Sequence, residues 1–261
     1  MVGPWEALAA ELALWRDAGL VADFWWRDDD AGAPSAPLRR LMQLAEARQV
    51  PLALAVIPAA ATPDVIRGAG RDVRIIQHGV DHQSRSVAGQ KKNEFPDSEP
   101  VDVALERLSE GRARLQEVAG EWLLPVLAPP WNRISQKLVD RLPQAGIRGL
   151  SRFGVRNITN SPAVSLIQAN THVDIIDWQG DRGFCGAERA LAQAIRHLAA
   201  RRAGTADPAE PTGWLTHHAV HDEECWRFLE QLFDATQVID NVRWYSADVV
   251  FRLPGHGARS G

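Results

Sequence analysis

The stretch Phe24-Trp25-Trp26-Arg27-Asp28-Asp29-Asp30-Ala31-Gly32 decides how this chain is read. An aromatic, strand-forming run ends in three adjacent acids, and adjacent carboxylates repel unless a cation or a shared proton relieves the charge. About fifty residues on, Val73-Arg74-Ile75-Ile76-Gln77-His78-Gly79-Val80-Asp81-His82 repeats the pattern, an apolar run that ends in polar residues, here two histidines four positions apart. One Asp and two His make a metal-ligand set that leaves coordination positions open. A spare carboxylate beside them can act as a base.

Composition bounds the rest. With 261 residues, 45% of them hydrophobic, the chain can bury a substantial core. Its 29 basic and 33 acidic residues are spread along the sequence, for a formal charge of −4, without the basic stripe of a nucleic-acid binder. The segment from Met1 to Leu12 carries acids inside an apolar pattern and no basic leader region, so it predicts an amphipathic helix and not a signal peptide. No run reaches transmembrane length. Two cysteines, Cys185 and Cys225, stand in no metal-binding or redox spacing, which fits a reducing cytosol, with a single bridge left open. A cytoplasmic protein is expected.

Strand-like runs recur at 23–27, 52–57, 73–77, 123–128, 147–151, 173–177 and 214–217, most of them continuously apolar as buried parallel strands are. Between them lie helical patterns at 37–48, 63–70, 101–118 (Leu105, Leu108, Leu115 and Val118 on one face), 135–145, 187–202 and 222–235. Repeated strand-then-helix units imply an α/β barrel or an open doubly wound sheet. No linker divides the chain, so one domain is expected over residues 1–254, with 255–261 as a flexible tail. The polar segment 83–100 is long enough to be a lid.

Asp28 to Asp30, His78, Pro129-Pro130-Trp131-Asn132, Asp177-Trp178 and His217-His218 each fall at the C-terminal end of a predicted strand, where parallel α/β folds assemble their chemistry. Singly, each has a plain structural reading: an acidic turn or cap, a solvated histidine pair, a rigid aromatic loop, one core and one exposed histidine. Their order in one chain outweighs those readings.

That ordered set resembles the polysaccharide deacetylase family, carbohydrate esterases that remove acetyl groups from N-acetylated sugars and related amides or esters. The resemblance rests on Asp29-Asp30, His78-Gly79-Val80-Asp81-His82, Pro129-Pro130-Trp131, Asp177-Trp178 and Leu215-Thr216-His217, and spans residue 24 to about residue 220. It implies a distorted or incomplete (β/α)7 barrel. It further implies that Asp30, His78 and His82 bind a divalent metal, zinc by preference, and that Asp29 is the base, with Asp28 left on the strand. The backbone N–H of Trp131 would hold the oxyanion and His217 would protonate the leaving group, with His218 as the fallback acid. Asn132, Asp177, Trp178 and His218 are the expected substrate-binding residues.

Two departures stand out. The family carries an Arg two positions before the proline pair to orient the base; Leu127 stands there, and Arg27 or Arg133 could substitute. The aromatic after the prolines is Trp where Tyr is usual. A small sugar conjugate or lipid-linked intermediate is expected ahead of an extended glycan. A related amide hydrolase on a non-carbohydrate substrate and a noncatalytic carbohydrate-binding homologue are the alternatives.

Overall fold

The computed structural model describes residues 2–65, 70, 72–156 and 166–253. Its strands are β1 (Ala22–Ala31), β2 (Leu52–Val56), β3 (Val73–His78), β4 (Leu123–Ala128), β5 (Gly149–Leu150), β6 (Ile167–Gln168), β7 (Val173–Asp174), β8 (Thr212–Thr216) and β9 (Val242–Trp244). They form one sheet in the order β6-β5-β4-β3-β2-β1-β8-β7, every neighbouring pair parallel, with β9 paired to the start of β1. Around it lie α1 (Pro4–Asp17), α2 (Ala36–Arg48), α3 (Val101–Ala119), α4 (Gln136–Val139), α5 (Ala187–Arg202), α6 (Glu223–Gln237) and α7 (Ala247–Val250). The expected α/β architecture, a single incomplete barrel, is what forms.

The continuous apolar strands follow from burial on both faces. On the helix side, Phe24, Trp26, Leu52, Leu54, Val56, Val73, Ile75 and Trp214 pack against α1, α2, α5 and α6. The alternate residues face inward, and there the side chains are mostly small: Ala53, Ala55, Ala128 and Ala169 surround Trp25. Phe251, just past α7, closes this interior, its ring edge-on to Trp25 at 5.8 Å between centroids. Neither α1 to α7 nor any other described helix is long and apolar enough to cross a membrane.

Sequence and structure differ in local ways. β6 and β9 are two and three residues long, too short for any period to show in the sequence. The helix expected over 135–145 is cut into α4 and a 3-10 turn, Leu142–Ala145, at Pro143, whose ring and missing N–H do not continue a helix. Of the helix expected over 63–70, a 3-10 turn at Pro63–Val65 is seen and most of the rest lies outside the described residues, as does the tail 255–261. The buried stripe of α3 is Ala104, Leu108, Gly111, Leu115 and Ala119, with the expected Leu105 and Val118 at its margins.

At the N-terminal ends of β7 and β8 lies a wholly buried cluster of His172, His197 and Glu210. These residue types and separations are those of a metal site, but the hydrogen bonds argue otherwise. The Gly213 N–H donates to His172 Nδ1 at 3.0 Å, so the neutral ring carries its proton on Nε2, which faces Glu210 Oε2 at 3.5 Å. The His172 and His197 rings stack at 3.4 Å with planes 13° apart, so their in-plane lone pairs do not meet at one ion. Burial first, then His172 and Arg201, push His197 down to about 2.

This cluster gives the fold an acid sensitivity. Unfolded histidine takes up a proton near 6.5, folded His197 does not, and so the unfolded state binds more protons below that pH. The stability His197 contributes is complete above 6.5 and is lost as pH falls through the window towards 2. Between pH 7 and 5 one such group costs about 2 kcal/mol. His197→Gln should flatten the pH dependence of the unfolding free energy from urea titration by about that amount; identical slopes for parent and variant would refute the account.

Candidate active site and metal centre

The site begins with an irregularity in β1. Asp28 pairs with Leu54 and Ala31 with Val56, so three steps along β1 face two along β2 and one residue is extra. Such a bulge re-aims side chains that strict alternation would send to opposite faces. Asp30 takes the strain as a left-handed residue, φ 68°. Asp29 and Asp30 thereby line the same pocket, while Asp28 stays on the other side.

β3 supplies the histidines through a tight turn. Gly79 has φ 56°, and a Cβ there would collide with the Glu94 carboxylate and the Pro130 ring, so glycine is required. Glu94, fully buried, accepts the N–H groups of Val80 at 2.9 Å and Asp81 at 3.1 Å. Burial pushes its carboxyl up to about 7. The segment expected as a lid is thus anchored at Glu94 and Phe95, both fully buried, and supports the turn from below.

Asp30 Oδ1 lies 3.0 Å from His78 Nε2 and 3.1 Å from His82 Nε2. Bonds of about 2.1 Å at tetrahedral angles separate ligand atoms by about 3.4 Å, so this donor set fits a divalent ion with little adjustment. Burial alone would raise the Asp30 carboxyl, but the two imidazoles outweigh it and hold it well below the usual range. Trp131, left-handed at φ 55°, lays its ring 4.5 Å from that of His82.

Asp29 is held by Arg27. The guanidinium meets it side-on, Nε to Oδ1 at 2.9 Å and Nη2 to Oδ2 at 3.0 Å, both groups buried. Arg27 also donates to Ser151 Oγ at 2.6 Å and to Asn132 Oδ1 at 2.8 Å. His217 Nε2 is 4.0 Å from Asp29 Oδ2, and its ring meets Trp178 edge-on at 4.7 Å. Asp29, Asp30, His78, His82, Trp131, Asn132, Trp178 and His217 line one pocket of about 900 Å³, with Arg27 and Ser151 buried behind it.

No family model matches the sequence, and no curated protein matches it. Solved structures do. A Mycobacterium smegmatis protein carrying the name polysaccharide deacetylase superposes with a TM-score of 0.62 at 17% identity, covering 90% of both chains. One of the same name from Pseudomonas aeruginosa gives 0.62 at 16%, covering 89% of this chain and 90% of the other. The polysaccharide deacetylase Bc1974 of Bacillus cereus gives 0.52 at 11%, covering 87% and 91%. The fold is that of the polysaccharide deacetylases.

Within that fold, two expected substrate residues lie elsewhere. His218 turns away from the pocket: its Nδ1 and its N–H both bond Asp28, at 2.5 and 3.0 Å, and Thr216 Oγ1 donates to the same carboxylate at 2.6 Å. Asp177 sits outside the pocket, paired with Arg189 at 2.9 Å. The acid that does line it is Asp174, three residues earlier, which accepts Trp178 Nε1 at 2.8 Å. Burial pushes the Asp174 carboxyl up and His217 draws it down. It escaped the sequence reading because β7 ends at Asp174 and not at Asp177; an acid inside the apolar run was the available signal. Asn132 lines the pocket and also accepts from Arg27.

The Arg27 interaction can be tested through stability. Leaving one member of a buried ion pair alone costs about 3–5 kcal/mol. Arg27→Met should lower unfolding stability by that order, and adding Asp29→Asn should recover most of the loss. If the two changes simply add, the residues are not coupled as described.

Proposed function

We propose that this protein is a metal-dependent hydrolase that removes an acetyl or similar acyl group from an N- or O-acylated sugar or sugar conjugate. The observation that carries the proposal is the convergence of Asp30, His78 and His82 next to the Arg27-bound Asp29 and opposite His217 in one pocket. The neighbours in fold bear deacetylase names, which supports the choice of reaction.

Asp30, His78 and His82 would hold the ion, zinc fitting two nitrogens and one carboxylate oxygen. When bound, it would polarise the acyl carbonyl. Asp29 takes the proton of the attacking water, and Arg27 keeps its carboxylate aimed at the pocket. The Trp131 backbone N–H supplies a hydrogen bond where negative charge develops on the acyl oxygen. His217, with Nε2 4.0 Å from Asp29 in the same pocket, delivers a proton to the departing amine or alkoxide. Exposed faces of Trp178 and Phe153 give a sugar ring apolar surface to lie on. The free thiols of Cys185 and Cys225 suit a reducing compartment such as the cytoplasm.

Asp29→Asn should abolish turnover with the metal retained, because proton transfer needs a base and coordination does not. Asp30→Asn should lower the metal content of the purified protein itself. Equal metal loss in the two variants would mean that base and ligand have been interchanged.

The acid has its own signature. An amine leaves poorly without a proton, whereas an activated phenol leaves readily. His217→Ala should therefore depress acetamide hydrolysis about 10²–10⁴-fold and aryl acetate hydrolysis far less, at constant metal content. An equal fall for both substrates would assign His217 to binding instead.

A further inference from the structure

The pocket mouth is charged in an unequal way. Its lining includes three carboxylates, and each is engaged: Asp29 by Arg27, Asp30 by the two histidines, Asp174 by Trp178. Its lining also includes four cations, Lys92, Arg133, Arg182 and Arg189. Only Arg189 has a carboxylate partner, Asp177; among the described residues none lies within ion-pair distance of the other three.

Two of the unpaired cations stand together. Arg133 Nη1 donates to the Lys92 backbone carbonyl at 2.9 Å, which holds the guanidinium against the main chain of that residue. Lys92 Nζ lies 5.8 Å from the centre of the Trp131 ring, whose other contact is the metal-ligand candidate His82 at 4.5 Å. The Trp131 ring therefore stands between the Lys92 ammonium and the metal-ligand candidate His82, with the Arg133 guanidinium on the same lip. Neighbouring like charges destabilise each other unless an anion enters between them, and a cleft lined by one sign concentrates ligands of the other.

We propose that the Lys92–Arg133 lip binds an anionic group, a phosphate or a carboxylate, carried by the substrate about one sugar ring away from the acyl group that is removed. The inference rests on the hydrolase reading above and names the substrate class of that same pocket. Arginine suits the part because its planar fork matches phosphate and carboxylate oxygens in pairs. Holding the fork in place beforehand lowers the entropy lost on binding.

The test uses the full, metal-loaded chain with N-acetylglucosamine, N-acetylglucosamine 6-phosphate and N-acetylglucosaminuronic acid, whose anions lie across the ring from the acetamide. At about 20 mM salt the better anionic compound should show kcat/KM at least about tenfold above the neutral sugar, mainly through KM, and the preference should shrink at about 300 mM. Whether the phosphate or the carboxylate is favoured distinguishes the two chemistries. In Lys92→Met with Arg133→Met the ratio should fall to about one, whereas Lys92→Arg should keep it. Equal kcat/KM for neutral and anionic sugars at low salt, or a preference that survives the double substitution, would overturn the proposal. If neither these sugars nor an aryl acetate is hydrolysed, it is the reaction that has been misread. Calorimetric titration then decides on the lip: binding of the preferred anion that the double variant loses sustains it, and equal or no binding of neutral and anionic sugars removes it.

Discussion

Three consecutive charged residues, Arg27, Asp28 and Asp29, lie 0%, 0% and 2% exposed on an interior strand of the sheet, between β2 and β8, and the rest of the structure has to accommodate them. A lone charge so deep would cost several kcal/mol, so each must find a partner within reach. Alternation along β1 divides the work. Arg27 and Asp29 point into the pocket side and neutralise each other, while Asp28 points the other way and takes His218, with Thr216 and the His218 N–H completing its hydrogen bonds. Burial would raise Asp28; His218 overrides it and keeps the carboxyl ionised. The strand is thus cross-linked to β8 by one ion pair and to Ser151 and Asn132 by the other.

This arrangement answers the question raised by Leu127. An orienting arginine is needed wherever a buried carboxylate must stay ionised and aimed. Its guanidinium can come from any strand that reaches the base. If Asp29 is the base, as proposed, the guanidinium comes from the same strand, two residues earlier, and Leu127 is fully buried in the core. A missing orienting arginine would favour the noncatalytic alternative, and the Arg27–Asp29 pair removes that argument. Arg133, the other candidate for the role, bonds the Lys92 carbonyl instead.

The strand positions were legible because burial on both faces leaves apolar runs, and seven of the nine strands lie within such runs, even where, as at β5 and β7, only two residues pair. The remaining two, β6 and β9, are short and lie in no apolar run of that kind. Asp29, Asp30, His78 and His82 were legible because acids and histidines at strand ends have few other reasons to cluster. What the sequence could not show was side-chain direction where alternation fails. The bulge at Asp29–Asp30 and the left-handed Asp30, His82 and Trp131 are backbone events without a composition of their own. His217 and His218 were separable in principle, since neighbours at a strand end face opposite ways, but which of them faces the pocket depends on register with β1. Asp174 was hidden by an error of strand length: once β7 is extended to Asp177, the wrong acid stands at its end.

Two clusters of histidine and carboxylate in one chain show why ligand types and distances do not by themselves define a metal site. In both sets, His172, His197 and Glu210 on the one hand and Asp30, His78 and His82 on the other, the candidate ligand atoms lie within 4.8 Å of one another. In the first, a backbone N–H occupies the one nitrogen of His172 that could otherwise hold the proton, the rings lie in parallel planes, and Arg201 adds positive charge nearby. In the second, the ring planes are 29° apart with centroids at 5.4 Å, both Nε2 atoms face one carboxylate oxygen, and the cluster opens onto a pocket that water and substrate can enter. A catalytic ion needs an exchangeable coordination position, and only the second cluster provides one. The buried cluster instead ties α5 to the first residues of β8 through His197 and Thr212, at the end of the barrel away from the chemistry.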